Sequence, residues 1–221
     1  MRNSLILIAL LTLFLSGCTA HSFLEPLGKG NKAVRVAFGG PIVAAFGTHV
    51  PVPFLAAGGE LGLNDNVNVG GDLHIFPLFY EIAGAEAGAM WFPLSQAGMR
   101  PTIGIGGRLL MMGSFRSGVK DRFRAYPIVS MTTAWRHSRR LYYLGNDLTL
   151  PLTEMDYDPD GSRAIFSPFV GCKWKLGKGF ALGFELKWQA ANLGNDQTAV
   201  EYTGIGSRGA LAPLFTLEKT H

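Results

Sequence analysis

Apolar and polar residues alternate with a period of two along most of the chain after residue 32. In the segment 180–190, every second residue is bulky and apolar, while the residues between them are small, charged or amide-bearing. Successive side chains of a strand point to opposite faces, so this alternation predicts strands with one apolar face. About ten such segments follow one another, approximately 33–46, 53–63, 67–77, 79–92, 101–115, 125–136, 139–150, 165–176, 179–190 and 203–217.

The connections between these segments alternate in length. Short links at 64–66, 137–138 and 177–178 alternate with longer links such as 116–124 and 153–164. Short turns on one side and long loops on the other are typical of an up-and-down meander, and most segments reach the length that a tilted strand needs to cross a bilayer. The pattern therefore predicts an all-β fold, an up-and-down antiparallel transmembrane β-barrel of about ten strands.

Side-chain size indicates which face meets lipid. The bulky residues share one face, and the opposite face carries glycine, alanine and isolated charges. The interior of a ten-stranded barrel is crowded, and each cation facing the lipid midplane would cost about 2–4 kcal/mol. We therefore expect a salt-bridge network in the lumen, formed by Arg35, Glu60, Asp72, Glu86, Arg108, Asp147, Lys173, Lys175, Glu185, Lys187 and Arg208.

Aromatic residues on the apolar face cluster near both ends of the predicted strands. Such girdles mark the two interfaces of membrane barrels. The residues expected there are Phe46, Phe79, Trp91, Phe115, Trp135, Tyr142, Phe166, Trp174, Phe180, Trp188 and Phe215. A soluble sandwich or calyx with an apolar core is the competing all-β interpretation, and periodicity alone does not exclude it.

The first residues differ from the rest. Arg2 precedes an apolar run, residues 5–15, which is shorter than a membrane-spanning helix and fits the core of a signal peptide. The run ends in Leu15-Ser16-Gly17-Cys18, which resembles the bacterial lipobox. The resemblance implies a lipoprotein signal peptide over 1–17, acylation of Cys18 and a lipidated, flexible tether over 18–32.

The remaining chain resembles a small bacterial outer-membrane β-barrel in architecture. We expect a barrel over 33–217 and a C-terminal tail over 218–221. The resemblance implies location in the bacterial outer membrane with a lipid anchor, and contact with outer-membrane lipids. Two cysteines do not make a disulfide scaffold, and a net charge of +4 without a nucleic-acid motif predicts no nucleic-acid partner.

One long link carries a candidate metal site. Asp156, Asp158 and Asp160 are followed by Gly161, as at the start of a calcium loop, but position twelve is Ser167 instead of glutamate. Either weak calcium binding or an ordinary acidic loop is compatible with this pattern. No other cofactor is expected.

Candidates for surface binding and catalysis are few. Four basic residues in one long link could contact lipopolysaccharide phosphates or an acidic envelope protein: Arg116, Lys120, Arg122 and Arg124. His137-Ser138 lies at a tight turn, where the two side chains cannot act as a nucleophile pair, and Asp72 and His74 share a face without a third group. We therefore expect no enzymatic activity.

The function predicted from the sequence is a structural or surface-interaction role in the cell envelope, with charged side chains filling the lumen. Two alternatives stay open. The first is a narrow channel for small ions or solutes, and the second is a soluble periplasmic β-calyx lipoprotein that binds an apolar ligand.

Overall fold

The computed structural model describes residue 20 and residues 23–45, 48–117, 122–152, 164–194 and 202–221. Its elements are twelve strands and one short 3-10 helix, Phe76–Tyr80. The strands are β1 (Lys32–Gly39), β2 (Ile42–Ala45), β3 (Thr48–Pro51), β4 (Phe54–Asn64), β5 (Val67–His74), β6 (Ile82–Leu94), β7 (Thr102–Ser114), β8 (Phe123–His137), β9 (Arg140–Thr149), β10 (Ile165–Gly177), β11 (Phe180–Gly194) and β12 (Arg208–Thr220).

Ten of these strands form one closed antiparallel barrel. Strand β1 pairs with β4, strands β4 to β12 pair in chain order, and β12 returns to pair with β1. This confirms the predicted all-β fold and its closed antiparallel barrel of about ten strands. In the described part of the chain, no helix has both the length and the apolar character needed to cross a membrane.

The first predicted strand, 33–46, is divided in the structure. Gly39 and Gly40 both have a φ of 138°, a conformation that favours glycine. A Cβ at Gly39 would lie 2.1 Å from the carbonyl oxygen of Pro213, so the backbone approaches β12 closely here. After this break, β2 and β3 form a separate hairpin before the barrel resumes with β4.

The predicted fourth strand, 79–92, begins later. Pro77 fits the first turn of the 3-10 helix, where no backbone N–H is needed, and Glu81 follows it with a φ of 61°. Strand β6 therefore starts at Ile82.

The C-terminal boundary also needs correction. Residues 218–220, predicted as part of a tail, belong to β12, which begins at Arg208 instead of 203. Ala33 pairs with Thr220, and the N–H of His221 donates to the carbonyl of Lys32 over 2.7 Å. Strand β12 continues because the alternation of its side chains is kept at Glu218. The carboxylate of Glu218 points inwards and pairs with the ammonium of Lys173.

The outward faces are apolar and exposed. Across the described barrel strands, the charged side chains that point outwards are Lys32, Arg140 and Lys219, and each lies within two residues of a strand end. At one such end, the ammonium of Lys219 lies 4.3 Å from the centre of the Phe180 ring.

The inward faces are less uniform than predicted. In the half of the barrel near the long loops, bulky apolar side chains pack in the lumen as one cluster: Ile82, Leu110, Met112, Tyr126 and Ile128. These positions follow the inward alternation of β6, β7 and β8. Near these strand ends the inward and the outward side chains are both apolar. Residue composition alone therefore does not show which face points into the lumen.

Candidate functional site

The lumen contains a chain of buried ion pairs centred on Arg108. Its guanidinium lies 2.6 Å from a carboxylate oxygen of Glu86 and 2.8 Å from one of Asp147. Asp147 also accepts hydrogen bonds from Ser130, over 2.6 Å, and from the ammonium of Lys187, over 3.0 Å. Four strands, β6, β7, β9 and β11, are thus linked across the interior through two cations and two carboxylates.

Two further groups of ion pairs lie elsewhere in the lumen. Arg35 donates a hydrogen bond to Asp72 and lies 3.9 Å from Glu60, which links β1 to β4 and β5. Lys173 lies 2.8 Å from Glu218, which joins β10 to the end of β12. A carboxylate of Glu185 lies 3.7 Å from Lys187 and extends the first group. Buried charges need such partners, because an isolated charge in a low-dielectric interior is costly.

The predicted network and the observed one overlap in nine residues, all buried: Arg35, Glu60, Asp72, Glu86, Arg108, Asp147, Lys173, Glu185 and Lys187. Lys175 and Arg208 are exposed, so their placement in the lumen is corrected. Lys175 lies two residues from the end of β10, and Arg208 is the first residue of β12. Both therefore reach solvent at the rim.

Sequence reasoning missed several members of this interior. Glu218 was placed in a tail, and Asn68, Ser130 and Gln189 are buried polar residues that were not singled out. Their alternation with outward apolar residues is the signal that could have identified them. Each of the three lies at an inward position of its strand.

The N-terminal segment, residues 23–27, lies inside the barrel and not outside it as a flexible tether, and residues 29–31 are exposed. Phe23 packs against Met90 and Phe92, and its exposed fraction is 1%. Leu24 packs in a cluster with Ala134, Leu141, Tyr143 and Phe169. These partners lie on inward faces, Phe169 at mid-height and the others in the half of the barrel near the tight turns, so the segment fills that half of the lumen.

Polar contacts hold the same segment. Arg136 donates two hydrogen bonds to the carboxylate of Glu25, one of them from Nε over 2.7 Å. The side-chain amide of Asn68 donates to the carbonyl of Glu25 over 3.0 Å and accepts from the N–H of Leu27 over 3.2 Å. Asn68 also donates to Glu60, which connects the segment to the charged interior.

The predicted aromatic residues lie at two heights on the outward face. Near the tight turns are Trp91, Trp135, Tyr142, Trp174 and Phe180, and near the long loops are Phe79, Phe115, Phe166 and Trp188. The indole N–H of Trp188 donates to the carbonyl of Arg208 over 2.9 Å at the rim. Phe46 lies outside the described residues.

Phe215 was expected in one of the two girdles, near a strand end, and this placement is corrected. Because β12 continues to Thr220, Phe215 lies at mid-height. Its ring centre is 5.1 Å from that of Phe38 and 5.1 Å from that of Phe184, so three neighbouring strands share an outward aromatic patch there.

Some of the other candidate site residues lie outside the described part of the chain, and others lie within it. Asp156, Asp158 and Asp160 lie outside the described residues, as do Cys18 and Lys120. Within the described ranges, no group of three or more acidic, histidine or cysteine side chains could hold a metal ion. Asp72 is paired with Arg35, and His74 is buried edge-on to Phe54 with 5.1 Å between ring centres.

Comparisons with known proteins yield structural likenesses only. No family model and no curated protein matches the chain. Among solved structures, the translocator domain of the autotransporter NalP from Neisseria meningitidis is similar, with 8% identity, 99% of this chain and 94% of that chain covered, and a TM-score of 0.46. The NanC porin is similar with 10% identity, 86% and 98% coverage and a TM-score of 0.45.

A third similar structure is the outer membrane protease OmpT from Escherichia coli, with 10% identity, 86% and 92% coverage and a TM-score of 0.35. These structure neighbours are outer-membrane β-barrels. They include a translocator domain, a porin and a protease, so the likeness does not select one function.

Proposed function

We propose that this protein is an outer-membrane β-barrel with a structural or surface-interaction role and without enzymatic activity. The observation that carries the proposal is the distribution of charge on the described barrel strands: buried ion pairs face inwards, and outward charges lie only at strand ends. A charged side chain at the bilayer midplane is costly, whereas the same side chain at the interface is tolerated. The barrel surface therefore suits a bilayer.

The outward aromatic residues support the same proposal. Trp and Tyr, which have an apolar ring and a polar atom, lie near the tight-turn rim at Trp91, Trp135 and Tyr142. Such side chains favour the boundary between hydrocarbon and headgroups. Outer-membrane lipids are accordingly the proposed surroundings, with lipopolysaccharide or an envelope protein as a proposed partner of the long-loop side, where Arg116 and Arg122 are exposed.

The proposed lipid anchor and the proposed membrane span are tested together. In cells supplied with labelled palmitate, we expect label in the wild-type chain and in Cys172→Ala, but none in Cys18→Ala. Placed behind a conventional signal peptide, the Cys18→Ala chain should still resist carbonate extraction, because its outward apolar face remains in lipid. Release of that chain into the soluble fraction would instead favour a periplasmic calyx, and label in Cys18→Ala would contradict the anchor.

We also propose that the lumen does not conduct. The N-terminal segment occupies the half near the tight turns, and the ion pairs around Arg108 occupy the interior beyond it. In planar bilayers we expect no stable conductance steps from the wild-type protein. The second candidate, a narrow channel, is favoured by the polar interior; it predicts stable steps whose ion selectivity changes in Lys173→Met and Glu185→Gln.

A further inference from the structure

The half of the lumen near the tight turns has the features of a binding site for an extended peptide. Phe23 occupies a position lined by Met90 and Phe92, and Leu24 occupies a second position beside Leu141 and Phe169. Both side chains are almost fully buried, with exposed fractions of 1% and 2%. The apolar contacts thus come as two adjacent subsites, one for an aromatic ring and one for leucine.

Polar groups of the barrel recognise the next residues in order. Arg136 binds the carboxylate of Glu25 through two nitrogens, a geometry that selects a carboxylate over other groups. Gln96 holds the backbone of Arg136 by accepting from its N–H over 2.5 Å and donating to its carbonyl over 2.9 Å. Arg136 also has a buried nitrogen, Nη1, for which the described part of the chain provides no hydrogen-bond acceptor.

Asn68 recognises the peptide backbone instead of a side chain. Its amide donates to the carbonyl of Glu25 and accepts from the N–H of Leu27, so one side chain binds two main-chain groups on either side of Pro26. Main-chain contacts of this kind supply affinity in peptide recognition, while the side-chain subsites supply specificity.

The segment that fills this site is joined to the barrel by a glycine turn. Gly28 and Gly30 have φ values of 82° and 81°, and the N–H of Asn31 donates to the carbonyl of Gly28 over 3.3 Å. This turn lies at the rim, where Lys29 donates its N–H to Asp65 over 3.3 Å in an exposed contact. Release of residues 23–27 by rotation about the turn would also withdraw Ala20, which packs against Ala37 and Leu214, while the pairing of β1, which begins at Lys32, would stay in place.

We propose that this half of the lumen is a sequence-selective peptide site, filled in cis by the chain's own residues 23–27. An extended segment with an aromatic residue, a leucine and a glutamate in succession binds in trans when the cis segment leaves. The proposal goes beyond a structural role of the barrel. It requires the closed barrel but not its location in a membrane, so it can fail or hold independently of the proposed function.

The test uses the full chain folded in detergent micelles and a fluorescent peptide of residues 23–31. In Glu25→Arg, the introduced cation faces Arg136 and should release the cis segment. By fluorescence anisotropy we expect this variant to bind the wild-type peptide at least about tenfold more tightly than the wild-type chain does. In Glu25→Arg/Arg136→Glu the ion pair is restored with reversed sign, so the cis segment should return, and a peptide that carries Glu25→Arg should bind this double variant no better than the wild-type peptide binds the wild-type chain.

Controls separate release of the segment from general damage. Lys29→Gln removes a charge from the neighbouring turn, where the described contact is made by the backbone N–H and not by the side chain, so it should behave as the wild type. If Glu25→Arg does not fold, Glu25→Gln removes the carboxylate charge with little change in volume and takes its place. A folded variant that binds no peptide, a wild-type chain that binds it equally well, or a double variant that binds as Glu25→Arg does would each overturn the proposal.

Discussion

Replacement of Val170 by arginine should destabilise the folded barrel by about 2–4 kcal/mol, whereas Leu176→Arg on the same strand should cost about 0–1 kcal/mol. Val170 lies in the middle of β10 and is 55% exposed on the outward face. Its neighbours across the two adjacent strands are Leu144 and Leu186, both apolar and both exposed. An arginine there would enter the hydrocarbon with no acidic partner nearby on that face.

Leu176 is a matched control because it lies on the same face, is 59% exposed and precedes the last residue of β10. An arginine at that position can extend to the headgroups. The measurement is denaturant unfolding of the protein in phospholipid vesicles, followed by a gel shift between folded and unfolded forms. Equal effects of the two substitutions would show that the outward face does not meet hydrocarbon, and a soluble β-protein would then be the better description.

The barrel itself could be predicted because its signal is local. A strand with unlike faces repeats every two residues, and the outward positions of β11, from Phe180 to Trp188, carry that signal without interruption. Burial of the charged residues could be predicted from the same alternation. A charged residue that alternates with bulky, outward apolar residues must point into the lumen. Both inferences need only the order of residues along one strand.

The N-terminal segment could not be placed in the same way. Its position depends on contacts between residues far apart in the chain, such as Glu25 with Arg136, which differ by 111 positions. Residues 23–31 alternate with no clear period, and their two glycines are equally typical of a flexible linker. The signal in retrospect is the pair Phe23-Leu24, because two bulky apolar residues in a solvated tether would have no partner.

The β2–β3 hairpin was missed for a related reason. Its residues continue the apolar composition of β1, so the sequence reads as one long strand from 33 to 46. The break depends on Gly39, whose backbone approaches the carbonyl of Pro213 on β12. A close approach between two strands that are far apart in the sequence does not change the apolar–polar alternation of either strand.

The second large effect is expected in the buried ion pairs. Removal of the carboxylate in Asp147→Ala should destabilise the barrel by about 3–5 kcal/mol, because it deprives Arg108 and Lys187 of a shared partner in a buried environment. Asp65→Ala is the control: Asp65 lies at an exposed turn and its carboxylate accepts a hydrogen bond from the N–H of Lys29, so its loss should change stability by less than about 0.5 kcal/mol.

A double-mutant cycle separates loss of the pair from loss of packing. Lys187→Met keeps an apolar side chain of similar length and removes the ammonium, which lies 5.4 Å from the centre of the Phe169 ring, while Arg108 retains Glu86 as a partner. In Asp147→Ala/Lys187→Met one charge of each sign is absent, so the total destabilisation should be smaller than the sum of the single effects by about 1–3 kcal/mol. The cycle is measured by the same vesicle unfolding. Strict additivity would mean that the two side chains do not interact, and the interior would then be held by packing and not by its charges.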